Sequence, residues 1–230
     1  YEKYNDKFSS FKLTPTIPSI CLSEKNNYSL AGGVIDLEKY VWIGLMEDDK
    51  GDHIVSFSLN KTNQKPKLIY SSPGFLGYLA LNSKDNKLAW IEWQKTSMPW
   101  DSNELKLAQL NDQGNIIKTV TFNSDYFKLK EKISFFNPIW SGKGELYVAE
   151  DSSGWWNITQ IKTDTNNQAI TISQNKWPIK AEIGFPQWVL GMSSFSCVGD
   201  DLVGVFTQEG IWHLALFEKN GSIHIIDQPF

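Results

Sequence analysis

The chain has 230 residues, of which 41% are hydrophobic and 21% charged, and its formal net charge is −4. This composition excludes wholesale disorder, and the scattered basic residues lack the positive footprint that nucleic-acid binding needs. No apolar run approaches the roughly 20 residues of a membrane-spanning helix, so we expect no membrane partner. The 10 Trp, 8 Tyr and 13 Phe residues indicate densely packed β-structure or a stacking surface.

Short runs rich in Val, Ile, Trp, Phe and Tyr alternate with polar turns along the chain, which is typical of antiparallel β-proteins. Helical periodicity is nearly absent, and Ser124–Glu131 is predicted to hold at most one turn. The main runs form four hairpin pairs: 40–46 with 53–59, 87–93 with 104–110, 145–150 with 156–161, and 202–206 with 212–217.

Further strands are predicted around these hairpins. A first strand precedes three of them, at residues 75–82, 133–140 and 185–192, and outer strands fit 67–70, 116–120 and 168–172. Extra strands are expected within 1–13 and 222–226. The third strands begin at Ile54, Leu105, Trp156 and Trp212, about 51–56 residues apart, which favours β-propeller blades over a β-sandwich. The predicted fold is all-β, with about four four-stranded antiparallel blades at 14–66, 67–114, 115–172 and 173–230.

Cys21 and Cys197 are far apart and have no metal-ligand spacing, so we interpret them as free thiols of a cytoplasmic protein, with a disulfide as the alternative. The three histidines show no metal-ligand spacing either, and we expect neither a metal nor a cofactor. The chain does not begin with Met and shows no signal segment, so we expect a piece of a longer chain.

Three strings of residues carry a family resemblance. They are Leu88–Trp93 with Met98–Asp101 and Glu104–Leu105; Pro138–Ser141 with Gly144–Tyr147 and Asp151–Asn157; and Ala181–Met192. Their order and spacing resemble the propeller domain of bacterial peptidases of the prolyl oligopeptidase family, in the acylaminoacyl-peptidase or dipeptidyl-aminopeptidase-like branch. The match runs from about Val34 to Phe217, and it fails at Gln94–Ser97, where the family tends to an acidic residue, His and Pro.

The resemblance implies a parent enzyme in which a seven- or eight-bladed propeller limits the access of peptide substrates to a C-terminal α/β-hydrolase domain with a Ser-Asp-His triad. This chain has no Gly-x-Ser-x-Gly string; Ser193 comes nearest, with Phe195 in place of the last Gly. We therefore expect no catalytic residue and no activity here, and a serine peptidase as the parent. Candidates for substrate or interdomain contact are Met98, Trp100, Asp101, Glu104 and Trp155.

Other interpretations stay open at this point. The chain could be a stand-alone propeller that binds proteins, or a carbohydrate-active propeller that uses Glu92 with Asp101 and Glu104, although turn and capping hydrogen bonds also explain Asp101 and Glu104. Trp90, Trp140 and Trp188 are predicted to pack between blades. Exposed blade faces at the ends of an incomplete ring predict self-association.

Overall fold

The computed structural model describes residues 21–24, 27–163 and 176–227, and the backbone of three short strands, β1 (Glu2–Tyr4), β2 (Lys7–Ser9) and β14 (Ile170–Ser173). The strands β1 and β2 pair with each other. The other strands build four antiparallel sheets of four strands, each in chain order. The all-β prediction is therefore confirmed.

The four sheets follow one another along the chain. Sheet 1 contains β3 (Ser29–Asp36), β4 (Val41–Asp48), β5 (Gly51–Ser58) and β6 (Lys67–Ser71). Sheet 2 contains β7 (Phe75–Asn82), β8 (Lys87–Trp93), β9 (Glu104–Leu110) and β10 (Ile116–Phe122). Sheet 3 contains β11 (Phe135–Trp140), β12 (Leu146–Glu150), β13 (Asn157–Thr163) and β14. Sheet 4 contains β15 (Phe195–Val198), β16 (Asp201–Gln208), β17 (Ile211–Phe217) and β18 (Ile223–Ile226).

All four predicted hairpins are confirmed to within a few residues, and so are the outer strands. The predicted first strand at 185–192 is wrong, because sheet 4 begins with β15, at Phe195. Pro186 lacks the backbone donor that a strand needs, and Gly191 adopts a φ of +82°. The first two sheets also extend beyond the expected blade boundaries at residues 66 and 114. The strand β6 pairs with β5 and so belongs to sheet 1, and β10 pairs with β9 and so belongs to sheet 2.

The helix α1 (Ser124–Phe127) is a single turn between sheets 2 and 3, as predicted. The Asn123 side chain accepts a hydrogen bond from the Tyr126 N–H at 3.1 Å, which caps the turn at its N-terminus. Among the described residues this is the whole helical content, and nothing there could cross a lipid bilayer as a helix.

Alternating strand directions divide the loops between two faces. The upper face carries the loops after each second strand and the links between sheets, which include Gln94–Asn103, Asn123–Ser134, Asp151–Trp156 and Ile183–Ser194. The lower face carries the turns after each first and third strand, which include Leu37–Tyr40, Ser83–Asn86 and Asn111–Asn115. Contacts agree with this division, because Ser134 on the upper face accepts from Asn103 and donates its N–H to Asp151.

Apolar side chains from neighbouring sheets form the core. Ile43 and Leu45 of sheet 1 pack with Leu88 and Trp90 of sheet 2, and the Trp90 side chain is fully buried. Trp140 is half-buried in the next cluster, and its indole N–H donates to the Ala80 carbonyl of sheet 2 at 3.1 Å. The prediction that these two tryptophans pack between blades is confirmed.

The first strands of sheets 1, 2 and 3 share a bulge that the sequence does not reveal. Each strand has one residue more than its partner, between Ala31 and Val34, between Gly77 and Ala80, and between Phe136 and Ile139. The residue that adopts a left-handed φ near +55° is Gly32 in sheet 1, Tyr78 in sheet 2 and Asn137 in sheet 3. These bulges bend the inner strands at equivalent places and help to shape a cavity of about 260 Å³ between them.

Candidate functional site

The loop Gln94–Asn103 is fixed to sheet 3 by one buried amide. The Asn103 side chain is only 3% exposed; its Nδ2 lies 2.7 Å from the Pro99 carbonyl oxygen and 2.8 Å from that of Phe135, and its Oδ1 accepts from the Phe135 N–H at 2.8 Å. The Ser134 hydroxyl also donates to the Pro99 carbonyl. Because the Pro99 carbonyl accepts hydrogen bonds from both Asn103 and Ser134, the neighbouring Trp100 has a defined position on the upper face.

Trp100 is half-buried and packs against Trp188, with the ring centroids 4.4 Å apart. The Trp188 side chain is 71% exposed, so the prediction that it lies in the inter-blade core is wrong. The tryptophan pair joins the loop after β8 to the link between sheets 3 and 4. Together the rings present an exposed aromatic surface on the upper face.

The Trp188 loop is held by its neighbours in sequence. The buried Gln187 donates through Nε2 to the Phe135 carbonyl at 2.9 Å, so one carbonyl anchors both tryptophan loops. The Tyr78 hydroxyl donates to the Val189 carbonyl at 2.9 Å, and burial raises the pKa of Tyr78 to about 12. Leu190 reaches the inner strands, because its methyl groups lie within 3.8 Å of the positions a Cβ would take at Gly32 and Gly77.

The other predicted contact residues take different positions. Met98 is 52% exposed beside the tryptophan pair in sequence, and the Asp101 side chain is exposed. Glu104 contacts Lys106 at 2.7 Å and accepts from Asn123 at 2.9 Å. Burial acts to raise the pKa of Glu104, but these two partners outweigh it and hold the pKa below its usual value. Glu104 is therefore part of a structural ion pair.

Trp155 is 39% exposed at the tip of the turn Asp151–Trp156. No ring contact joins it to another aromatic side chain within the described ranges. It shares the upper face with the Trp100–Trp188 pair and makes no ring contact with either of these tryptophans. The structure thus brings Met98 and Trp100 into one loop beside Trp188, and leaves Trp155 separate.

Carboxylates near the Trp155 turn are half-buried and hydrogen-bonded. Asp151 accepts from the Ser134 N–H at 2.8 Å, and Glu182 accepts from the Trp156 N–H at 2.9 Å. Burial raises the pKa of Asp151 to about 6 against the Ser134 hydrogen bond, and the charges of Glu150 and Glu182 add to the rise. These contacts fix the upper loop of sheet 3 to the links before and after that sheet.

Glu92 is 4% exposed within β8, where its carboxylate accepts from the Tyr70 hydroxyl at 2.9 Å and the Ser72 hydroxyl at 2.6 Å. It therefore serves as a buried hydrogen-bond acceptor between sheets 1 and 2.

The two cysteines are unpaired thiols, and burial raises the pKa of Cys197. No group of three or more His, Cys, Asp or Glu side chains could hold a metal ion in the part of the chain that the structure describes.

Solved structures resemble this arrangement of sheets. A puromycin hydrolase in complex with PGG superposes with a TM-score of 0.76 at 20% identity, over 90% of this chain and 32% of that chain. These matched regions are propeller domains. The chain is an arc of a β-propeller. The prediction of four four-stranded antiparallel blades is thereby confirmed, and sheets 1 to 4 are called blades 1 to 4 from here on.

Two further similarities extend the comparison. A puromycin-hydrolyzing peptidase from Mycobacterium tuberculosis gives a TM-score of 0.74 at 23% identity, over 94% of this chain and 31% of that chain. Prolyl oligopeptidase B from Galerina marginata gives 0.63 at 11% identity, over 89% and 28%. The chain spans about a third of the length of these proteins. No family model and no curated protein sequence matches it.

Trp188 and Gln187 are parts of the site that the sequence did not predict. The apolar content of residues 185–192 favoured a strand there, with Trp188 in the core. Pro186 and Gly191 were the signals of a loop, since neither suits the middle of a strand.

Proposed function

We propose that this chain is the propeller portion of a prolyl oligopeptidase-like serine peptidase and that its upper face lines the route of peptides to a hydrolase domain. The observation that carries the proposal is the likeness over about nine-tenths of the chain to the propeller domains of puromycin-hydrolysing and prolyl peptidases. The resemblance in Met98–Asp101 and Ala181–Met192 supports it independently, because these two segments bear the Trp100–Trp188 pair.

The upper face has the chemistry of a peptide-contacting surface. Exposed aromatic side chains on rigid loops favour contacts with apolar groups, and Trp is enriched among residues that dominate binding energy. The loops that carry Trp100 and Trp188 are held by buried hydrogen bonds of Asn103 and Gln187, so little loop freedom remains to be lost on binding. In this proposal the pair contacts an apolar residue of the peptide, and the bond cleavage takes place on the hydrolase domain.

The test uses the full-length protein from the native gene and two matched variants. Trp188→Ala removes the most exposed aromatic of the upper face, and Tyr40→Ala removes one that is 55% exposed on the lower face. We expect Trp188→Ala to lower kcat/KM for peptides with apolar side chains about tenfold, which corresponds to about 1.4 kcal/mol, and Tyr40→Ala to leave it unchanged. Equal kcat/KM of both variants and the parent would contradict the proposal that the upper face contacts the peptide.

A further inference from the structure

A second cavity lies on the lower face, between blades 1 and 2, away from the tryptophan pair. Its volume is about 340 Å³, within the range of small-molecule sites. The turns after β3, β5 and β9 form its rim. The charged residues that line it are Lys39, Lys61, Lys65, Lys67, Asp36 and Asp112.

The charge of this rim is opposite to that of the chain. Four lysines face two aspartates, whereas the chain as a whole has a net charge of −4. Asp36 is buried, and its Oδ1 accepts the backbone N–H groups of Glu38 and Lys39 at 3.1 Å each, so this carboxylate holds its own turn. The cavity mouth therefore attracts an anion.

The four lysines have two different roles. Lys39 donates to Asn86 Oδ1 and Lys67 donates to the Gln113 carbonyl, so both reach across from blade 1 to blade 2. Lys61 and Lys65 are exposed, and within the described residues their ammonium groups have neither an ion-pair nor a hydrogen-bond partner. These two ammonium groups are available to a ligand.

The loop that carries Lys61 and Lys65 is ordered by Gln64. The Gln64 side chain donates to the Ser58 and Lys61 carbonyls at 2.8 Å each and accepts from the Ser58 N–H at 3.1 Å. The Gln64 backbone N–H donates to the Leu22 carbonyl at 2.8 Å. The two lysines thus project from a fixed loop, which lowers the entropic cost of binding an anion.

The floor of the cavity is apolar. Ile43 and Leu110 are 4% and 3% exposed, and the partly buried Val41 and Ile69 lie beside them. A ligand that enters therefore meets cations at the mouth and aliphatic side chains below. Inorganic phosphate would leave the floor empty, and a neutral hydrocarbon would gain nothing from the lysines.

We propose that this cavity binds a small carboxylate with a short aliphatic chain. The carboxylate contacts Lys61 and Lys65, and the aliphatic chain lies on Ile43, Ile69 and Leu110. This inference does not depend on the peptidase proposal, because the cavity is on the opposite face and its test measures binding alone.

Octanoate is the probe, and titration calorimetry on the 230-residue chain is the measurement. We expect saturable binding of one octanoate per chain that weakens with added salt. The Lys61→Gln/Lys65→Gln variant should bind about tenfold more weakly, as expected for the loss of charge-assisted hydrogen bonds. Lys50→Gln/Lys95→Gln, which removes the same charge from exposed lysines outside the cavity, should bind like the parent.

Two related compounds test the two halves of the ligand. Butanoate has four fewer methylenes and should bind at least tenfold more weakly than octanoate, and octan-1-ol, which lacks the charge, should also bind at least tenfold more weakly. Absence of saturable octanoate binding would overturn the proposal. So would equal weakening in the two lysine variants, or equal affinity for octanoate and octan-1-ol.

Discussion

Replacement of Asn103 by Ala tests whether one amide organises the upper face. The side chain is 3% exposed and contacts Pro99, Ser134 and Phe135. In the variant the Pro99 carbonyl keeps the Ser134 hydroxyl, and the Phe135 carbonyl keeps Gln187. The Phe135 N–H, in contrast, loses its acceptor inside the protein.

An unsatisfied buried donor costs about 1–3 kcal/mol, and each further hydrogen bond lost costs about 1 kcal/mol. We therefore expect Asn103→Ala to lower the free energy of unfolding by about 3 kcal/mol. Urea unfolding followed by circular dichroism measures this value, and tryptophan emission reports whether Trp100 becomes more exposed. Asn115→Ala, at an exposed turn, is the control and should change stability by less than about 0.5 kcal/mol. A loss below about 1 kcal/mol for Asn103→Ala would show that the Asn103 amide does not organise the upper face.

Three further predictions concern stability. Since burial raises the pKa of Asp151 to about 6, the folded protein keeps this proton at pH values where the unfolded chain has lost it. The stability contributed by Asp151 therefore falls as the pH rises from about 4 to 6. In urea unfolding, Asp151→Asn should match the parent at pH 4 and exceed its free energy of unfolding by about 1 kcal/mol at pH 7, after allowance for the partial exposure of the carboxylate. A Cβ at Gly44 would lie 2.0 Å from the Trp42 ring, so Gly44→Ala should lower the free energy of unfolding by about 3 kcal/mol in the same assay. The control is Gly142→Ala, whose Cβ meets no atom within 4 Å and which should lower the free energy of unfolding far less. Trp177→Phe removes a 2.7 Å hydrogen bond from a buried indole to a backbone carbonyl and should lower the free energy of unfolding by about 2 kcal/mol; an unchanged Tm would contradict that expectation.

The repeating hairpins could be predicted from the sequence because their strands alternate apolar and polar residues and end in polar turns. In β9, for example, Leu105 and Leu107 are buried while Lys106 is less so, as the alternation requires. The bulges in the first strands could not be predicted, because Gly32, Tyr78 and Asn137 share a backbone conformation without sharing a residue type.

The candidate site was predicted in part. The loop position of Trp100 was correct, because polar residues and Pro99 interrupt the apolar pattern there. The contact of Trp100 with Trp188 joins residues 88 positions apart, and only the arrangement of blades 2, 3 and 4 brings them together. The structural role of Glu104 likewise depends on a hydrogen bond from Asn123, which follows β10. The residues next to Glu104 in the sequence do not indicate this contact.

Labelling of the full-length protein with a fluorophosphonate tests whether this chain is part of a serine peptidase whose nucleophile lies outside it. The native gene would be expressed in full, and the labelled serine identified by peptide mass spectrometry. The account predicts stoichiometric labelling of one serine outside the 230 residues of this chain, together with hydrolysis of short peptides. Labelling of Ser193 or another serine of this chain, or a full-length protein that neither reacts nor hydrolyses peptides, would contradict it.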